Sequence, residues 1–162
     1  MVESTKPVVT ITGVSGYIGS QTCLLFLKSG KYQVRGTVRD KNNEKKIGPL
    51  RKAFGEYFEQ LELVEADLLD EESMIKAIEG STYVAHIASP FVMMKPKDED
   101  DLIKPAVNGT LAAMKACRAS KVKRIVITSS VASISACSEI DRPDDNTFTE
   151  ENWTDIESQG GS

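Results

Sequence analysis

Residues 8–19 read Val8-Val9-Thr10-Ile11-Thr12-Gly13-Val14-Ser15-Gly16-Tyr17-Ile18-Gly19, and this stretch decides the fold. Val8 to Thr12 are all β-branched and carry no charge, which predicts a strand buried on both faces of a parallel sheet. Gly13, Gly16 and Gly19 follow at three-residue spacing. Tyr17 to Leu27 then predicts a helix with a broad apolar stripe, closed at Ser29-Gly30. Strand, glycine loop and helix start make a phosphate cradle. One glycine closes the turn, one lets backbone approach a pyrophosphate, and one lets helix and strand pack closely. Free N–H groups of the first helical turn face phosphate oxygens, with the helix dipole in the favourable sense. Gly13, Ser15, Gly16, Tyr17, Ile18 and Gly19 are therefore expected to bind a dinucleotide.

The remaining elements follow outward from this unit. Residues 1–6 are polar and expected to form a tail. Residues 32–38 alternate as a second strand, ending at Arg39-Asp40. Asn42 or Asn43 caps a short helix through Ile47, which Gly48-Pro49 is expected to break before another turn over 50–54. Residues 61–65 form a third strand, and the acidic turn Asp70-Glu71-Glu72 starts a helix through Ile78 with Gly80 closing it. Residues 82–88 give a fourth buried strand, stopped at Ser89-Pro90. The acidic run from Asp98 to Asp101 starts a long helix rather than marking a metal site. Leu102, Ile103, Ala106, Val107, Leu111, Met114 and Cys117 are expected to face the core from it, with Pro105 in its first turns. Residues 124–128 make a fifth strand, and 131–162 lose periodicity, predicting an irregular segment. The alternation of strand and helix predicts an α/β fold: a doubly wound, mainly parallel Rossmann sheet in three α/β/α layers, carried by residues 7–130 and cut off after about the fifth strand. Ligands of such sheets sit at the carboxyl edge of the strands, where the strand order reverses.

Composition bounds the function. The chain has 162 residues, 40% hydrophobic and 27% charged, which suits one globular domain. A formal net charge of −4 and the lack of a basic face argue against a nucleic-acid partner. No apolar run reaches the roughly 18 residues of a membrane span, and the N-terminus has no signal-peptide core. Cys23, Cys117 and Cys137 lack metal-ligand spacing, and two of them lie on apolar helix faces. Buried reduced thiols and a cytoplasmic location are expected, with no metal.

Arg39 lies about 20 residues past Gly19, where an acid usually holds the 2′-hydroxyl of NAD and an arginine suits the 2′-phosphate of NADP. A guanidinium forks onto phosphate and stacks on adenine, and Lys46 can add a second cation. NADP is the expected cofactor and NAD the weaker one, although Asp40 next door could serve a ribose hydroxyl instead. His86, the sole histidine, sits inside an apolar strand and reads as a satisfied core residue.

The loop Thr12 to Gly19 resembles that of the extended short-chain dehydrogenase/reductase family. Thr37-Val38-Arg39-Asp40 with Lys45-Lys46, Ala66-Asp67-Leu68, His86-Ile87-Ala88-Ser89-Pro90, the run Ile103 to Thr110 and the run Arg124 to Ser130 resemble its dihydroflavonol 4-reductase and cinnamoyl-CoA reductase branch, collinearly from about residue 7 to about 155. The resemblance implies that Asp67 and Leu68 contact adenine, and that Ala85, Ile87, Ala88 and Ser89 line the ribose and nicotinamide side. It implies that Ser130 is the catalytic serine, donating to a substrate carbonyl, with Thr128 and Ser129 supporting the cofactor. The residues alone say less: Ser129 and Ser130 could equally be a polar strand end bonding its own backbone. No Gly-x-Ser-x-Gly elbow accompanies them.

Two departures qualify the resemblance. The family's proton donor is the tyrosine of Tyr-x-x-x-Lys, and none of Tyr17, Tyr32, Tyr57 and Tyr83 has a lysine four residues on. The dyad is expected just beyond Ser162, with the substrate portion after it. Ser135 stands where flavonoid reductases carry an amide or acid, which favours a generic ketone or aldehyde over a dihydroflavonol. Two functions stay open. One is an NADP-dependent oxidoreductase acting on a small carbonyl or secondary alcohol, this chain being mainly its cofactor half. The other is a non-catalytic nucleotide-binding or scaffold subunit with a protein partner.

Overall fold

The computed structural model describes residues 6–90, 98, 100–135 and 147–156. Residues 1–5 of the expected tail, Cys137 and Gly160-Gly161-Ser162 lie outside the described residues. Five strands pair in parallel: β1 (Val8–Ile11), β2 (Gln33–Val38), β3 (Leu61–Glu65), β4 (Tyr83–His86) and β5 (Arg124–Ile127), in the order β3-β2-β1-β4-β5. Between them run α1 (Tyr17–Ser29), α2 (Glu44–Phe54), α3 (Glu71–Ile78) and α4 (Asp100–Ala119). The chain leaves β1 to build β2 and β3 on one side and returns to build β4 and β5 on the other. The strand order therefore reverses between β1 and β4, which opens a crevice at their carboxyl ends.

Two cores sandwich the sheet. Val9, Ile11, Val34 and Val38 pack with Cys23 and Leu27 of α1 and with Ile47, Leu50 and Phe54 of α2. Val84 packs with Met74, Ala77 and Ile78 of α3 and with Ala112, Ala113, Ala116 and Cys117 of α4. Full burial of each large aliphatic side chain contributes about 1.5–3 kcal/mol. Val9, Thr10 and Ile11 are buried, as the run of β-branched residues predicts.

Two expectations about the helices fail. α2 runs unbroken through Gly48-Pro49. Gly48 has no Cβ to clash with the proline ring, and buried Ile47, Leu50 and Phe54 anchor the helix on both sides of it. A 3₁₀ stretch over Gly55–Gln60, unforeseen in the sequence, then leads into β3. In α4 only part of the expected face is buried: Cys117 is, and Leu102 and Ala106 are half-buried, whereas Ile103, Val107, Leu111 and Met114 are about half exposed. The buried face is Gly109, Ala112, Ala113, Ala116 and Cys117. Small residues let the helix backbone approach, and a Cβ on Gly109 would stand 3.0 Å from Leu68 Cβ.

The chain divides into two compact units, residues 1–127 and 128–162, and the sheet with its four helices belongs to the first. In the second, Ser130 caps a 3₁₀ turn over Val131–Ser133. The Thr154 N–H donates to the Ser133 carbonyl at 2.9 Å, and its hydroxyl donates to the Ala132 carbonyl.

Arg35 of β2 ties the sheet to α3. Its guanidinium donates to the carbonyls of Ala77 (3.0 Å) and Glu79 (2.7 Å), a cation at a helix C-terminus, and pairs with Glu62 of β3 at 3.0 Å. Arg35→Met keeps the apolar stem but removes the donor from both carbonyls, of which that of Ala77 is the shielded one. It should lower unfolding free energy by roughly 2 kcal/mol in a urea titration. Glu62, more than half exposed, rehydrates when cut to Gln and should cost under about 1 kcal/mol.

Candidate functional site

The site is built where β1 gives way to α1. Gly13 has φ +72°, a left-handed backbone conformation that side chains resist. Its carbonyl accepts from Gly16 N–H at 3.0 Å, which closes the loop. Gly19, one turn into α1, lies so close that a Cβ there would stand 2.2 Å from Gly13 O. This contact seats the helix start directly on the strand end. Gly16 is the N-cap and α1 has no side-chain cap, so its first-turn N–H groups stay available. Gly16, Tyr17 and Ile18 are exposed around that helix end, Tyr17 almost completely, while Gly19 is buried and serves packing. Ser15 is half-buried between them.

Neighbouring strands clamp the loop. Thr37 of β2 accepts from Gly13 N–H on its hydroxyl (3.0 Å) and from Val14 N–H on its carbonyl (3.1 Å). On the other side Thr12 N–H donates to the Ala85 carbonyl at 3.0 Å. The Thr12 hydroxyl oxygen accepts from the N–H groups of Ile87 and Ala88, both at 3.0 Å, and lies 3.1 Å from His86 Nδ1. Ala88 in turn packs on Gly13, where a Cβ would meet the Ala88 Cβ at 3.0 Å. Thr12 and Thr37 were not among the site residues read from the sequence. Their only signal there is a hydroxyl near the carboxyl end of a strand.

The remaining candidates sit as follows. Arg39 is exposed one residue past β2, and Lys46 is exposed in the first turn of α2. The Asp40 carboxylate accepts from Asn42 N–H at 2.8 Å, a local turn that occupies one oxygen. Asp67 is exposed and its carboxylate accepts from Leu69 N–H at 2.9 Å. The cap of α3 is Asp70, which accepts from Glu72 and Ser73 N–H. Leu68 is half-buried against α4, beside a cleft of about 280 Å³ that Asn108, Leu111 and Lys115 also line. Ala85 lies within β4, and Ser89 is exposed just past its end.

Thr128, Ser129 and Ser130 belong to the second unit and are exposed. Ser130 Oγ accepts from Ala132 N–H at 3.2 Å, and its hydroxyl proton has no acceptor among the described residues. Ser129 Oγ lies 3.1 Å from Ser133 Oγ. Burial pushes the thiols of Cys23 and Cys117 up to about 12 and about 11, which makes them inert packing groups. Burial also lowers the pKa of His86.

A parallel sheet with an uncapped, glycine-seated helix N-terminus at its reversal point defines the Rossmann class of dinucleotide-binding folds. The cradle fits a dinucleotide: the glycines leave the pyrophosphate approach free of Cβ atoms, and the helix end offers N–H donors. Within that class, residues 9–157 match the model of the NAD dependent epimerase/dehydratase family, and the chain belongs to that family. It is 41% identical over 155 residues to a dihydroflavonol 4-reductase of Zea mays, covering 95% of this chain and 42% of that protein. The structure resembles vestitone reductase from alfalfa (Medicago sativa), with TM-score 0.73 and 31% identity, covering 94% of this chain and 44% of that one. It also resembles Gre2 from Candida albicans in complex with NADPH, with TM-score 0.75 and 29% identity, covering 94% and 45%. The chain spans less than half the length of these relatives. No helix among the described residues is long and apolar enough to cross a membrane.

Gly19→Ala should lower stability by about 2–3 kcal/mol, because its neighbour is backbone that cannot rotate away. Gly16→Ala, whose Cβ would sit 3.3 Å from the same oxygen, should cost less than half as much in the same denaturation assay. His86 gives a pH signature. Its folded pKa is lowered, so below about pH 6.5 the unfolded chain binds a proton that the native state refuses. Its contribution to stability is intact above that pH and is lost as pH falls toward the folded pKa. Unfolding free energy should therefore drop on acidification more steeply in the wild type than in His86→Asn.

Proposed function

We propose that this chain is the cofactor-binding portion of an NADP-dependent oxidoreductase that acts on a small ketone or aldehyde, or on the corresponding secondary alcohol. The observation that carries it is the uncapped N-terminus of α1, set on Gly13 at the reversal point with the exposed cation of Arg39 at the end of the next strand. When bound, the dinucleotide supplies or takes up the hydride. First-turn N–H groups over 16–18 bind the pyrophosphate, and Ser15 adds a hydroxyl at the loop. Arg39 and Lys46 hold the 2′-phosphate, which favours NADP over NAD. Asp67 and Leu68 border the adenine, and Ala85, Ile87, Ala88 and Ser89 border the ribose and nicotinamide; the family resemblance assigns Thr128 and Ser129 to cofactor support.

Ser130 holds the substrate carbonyl, donating its hydroxyl proton to the oxygen as negative charge develops there. The proton delivered to that oxygen has no source in a tyrosine of this chain, because none is followed by lysine at the fourth position. The NADPH complex of the Candida albicans relative and the reductase names of the plant relatives support the reading. Ser135, standing where flavonoid reductases carry an amide or acid, argues against a dihydroflavonol substrate. We place the protein in the cytoplasm, consistent with its buried free thiols.

Calorimetry should find NADPH bound more tightly than NADH, and Arg39→Ala should reduce NADPH affinity about ten- to hundredfold while leaving NADH nearly unchanged. Equal affinities in the wild type would overturn the cofactor assignment. The 162-residue chain should oxidise NADPH with carbonyl substrates far below the ordinary enzymatic range of about 1–10³ per second. In a longer form carrying the Tyr-x-x-x-Lys dyad, Ser130→Ala should cut kcat about 10²–10³-fold with cofactor affinity unchanged, and Ser129→Ala should cut it less.

A further inference from the structure

We propose that His86, held as the neutral tautomer with its proton on Nε2, is a positioning residue: its Nδ1 accepts a hydrogen bond from the Thr12 hydroxyl and so commits that oxygen's lone pairs to the N–H groups of Ile87 and Ala88. The argument counts hydrogens. A hydroxyl has one proton to donate and two lone pairs to accept with. The N–H groups of Ile87 and Ala88, each 3.0 Å away, can only donate, and they use both lone pairs of Thr12 Oγ1. The third neighbour, His86 Nδ1 at 3.1 Å, must then accept the hydrogen bond that the hydroxyl donates. A proton on Nδ1, in either the other tautomer or the imidazolium, would face the oxygen with three donors for two lone pairs.

Burial makes this choice consequential. Thr12 is fully buried and His86 is 3% exposed, so water is not at hand to repair a misplaced donor. Desolvation also keeps the ring neutral. The bonds matter because β1 ends at Ile11 and the chain turns into the glycine loop. Past that point β1 no longer offers carbonyls to β4, and one side-chain oxygen serves both Ile87 and Ala88 instead. Ala88 is the residue that packs on Gly13. His86 therefore acts on the loop through Thr12 and Ala88, without contact with a ligand. The link to cofactor affinity rests on the function proposed above; the tautomer and the clamp do not.

Because His86 is the only histidine, nitrogen-15 NMR of the histidine-labelled 162-residue chain reads this ring alone. At neutral pH it should show Nδ1 bare and Nε2 protonated; a proton on Nδ1 overturns the proposal. His86→Asn places an amide oxygen near the position of Nδ1 and should keep both the hydrogen-exchange protection of Ile87 and Ala88 and the NADPH affinity. His86→Leu removes the acceptor. It should lose protection at those two amides while the β1–β2 ladder keeps its own, and it should weaken NADPH binding about three- to tenfold. Unchanged exchange at Ile87 and Ala88 in His86→Leu overturns the proposal. If the wild type binds no NADPH, the cofactor reading fails, and the tautomer and exchange results still decide the role of His86. If His86→Leu fails to fold, the wild-type tautomer decides alone.

Discussion

The structure depends on how the polypeptide leaves the middle of a parallel sheet. β1 has a strand on each side, and when it turns away at Thr12 its neighbours lose their ladder partner. Two threonine hydroxyls fill the gap. Thr37 reaches in from β2 to Gly13 N–H, and Thr12 reaches out to the amides past β4. An apolar residue at either place would leave part-buried N–H groups without a partner, at up to about 1–3 kcal/mol each. With both in place the turn can be short, Gly13 can adopt its left-handed conformation, and α1 can start on top of it. The exposed helix end is a product of this bonding as much as of the three glycines.

The sequence made much of this legible, for reasons that differ by element. β1, β2 and β3 are runs of β-branched or alternating residues between turn signals, and their expected bounds lie within a residue or so of those observed. β4 stops at His86, two residues short of the expected end, because Ile87 and Ala88 bond to a side chain instead of a strand. α4 lies where the sequence predicts it and Cys117 is buried as expected, but Ile103, Val107, Leu111 and Met114 of the expected stripe are not. Periodicity records where large apolar residues recur, whereas close helix packing selects small ones, here Gly109, Ala112, Ala113 and Ala116. The Gly48-Pro49 pair signals a break locally, and the tertiary burial of Ile47, Leu50 and Phe54 overrides it.

The candidate site divides in the same way. The glycines are visible because conformational need restricts the residue type, so spacing alone finds them. Thr12 and Thr37 were hidden because a threonine in a strand looks like any β-branched strand former, and only the bonding of its hydroxyl distinguishes it. The sequence predicts His86 as a satisfied core residue, and the buried ring beside Thr12 agrees, while its partner lies 74 residues away and no local pattern names it. Asp67 and Asp40 show the reverse case. Each lies at a strand end where a ligand is expected, and each already spends a carboxylate oxygen on a local turn.

The tight seating of the loop bears on the entropy of recognition. Gly13, Gly16 and Gly19 are held by contacts within the protein, between 13 and 16, between 13 and 19, and between 13 and 88. Ordering one backbone residue costs about 1–2 kcal/mol, and folding has already met that cost across the loop. A phosphate bound at the helix end, as the proposed function requires, would find its donors fixed in place, so little of its interaction would be spent on immobilising the receptor. Such a receptor discriminates by shape from the first encounter and has little capacity to remould around a ligand of different outline.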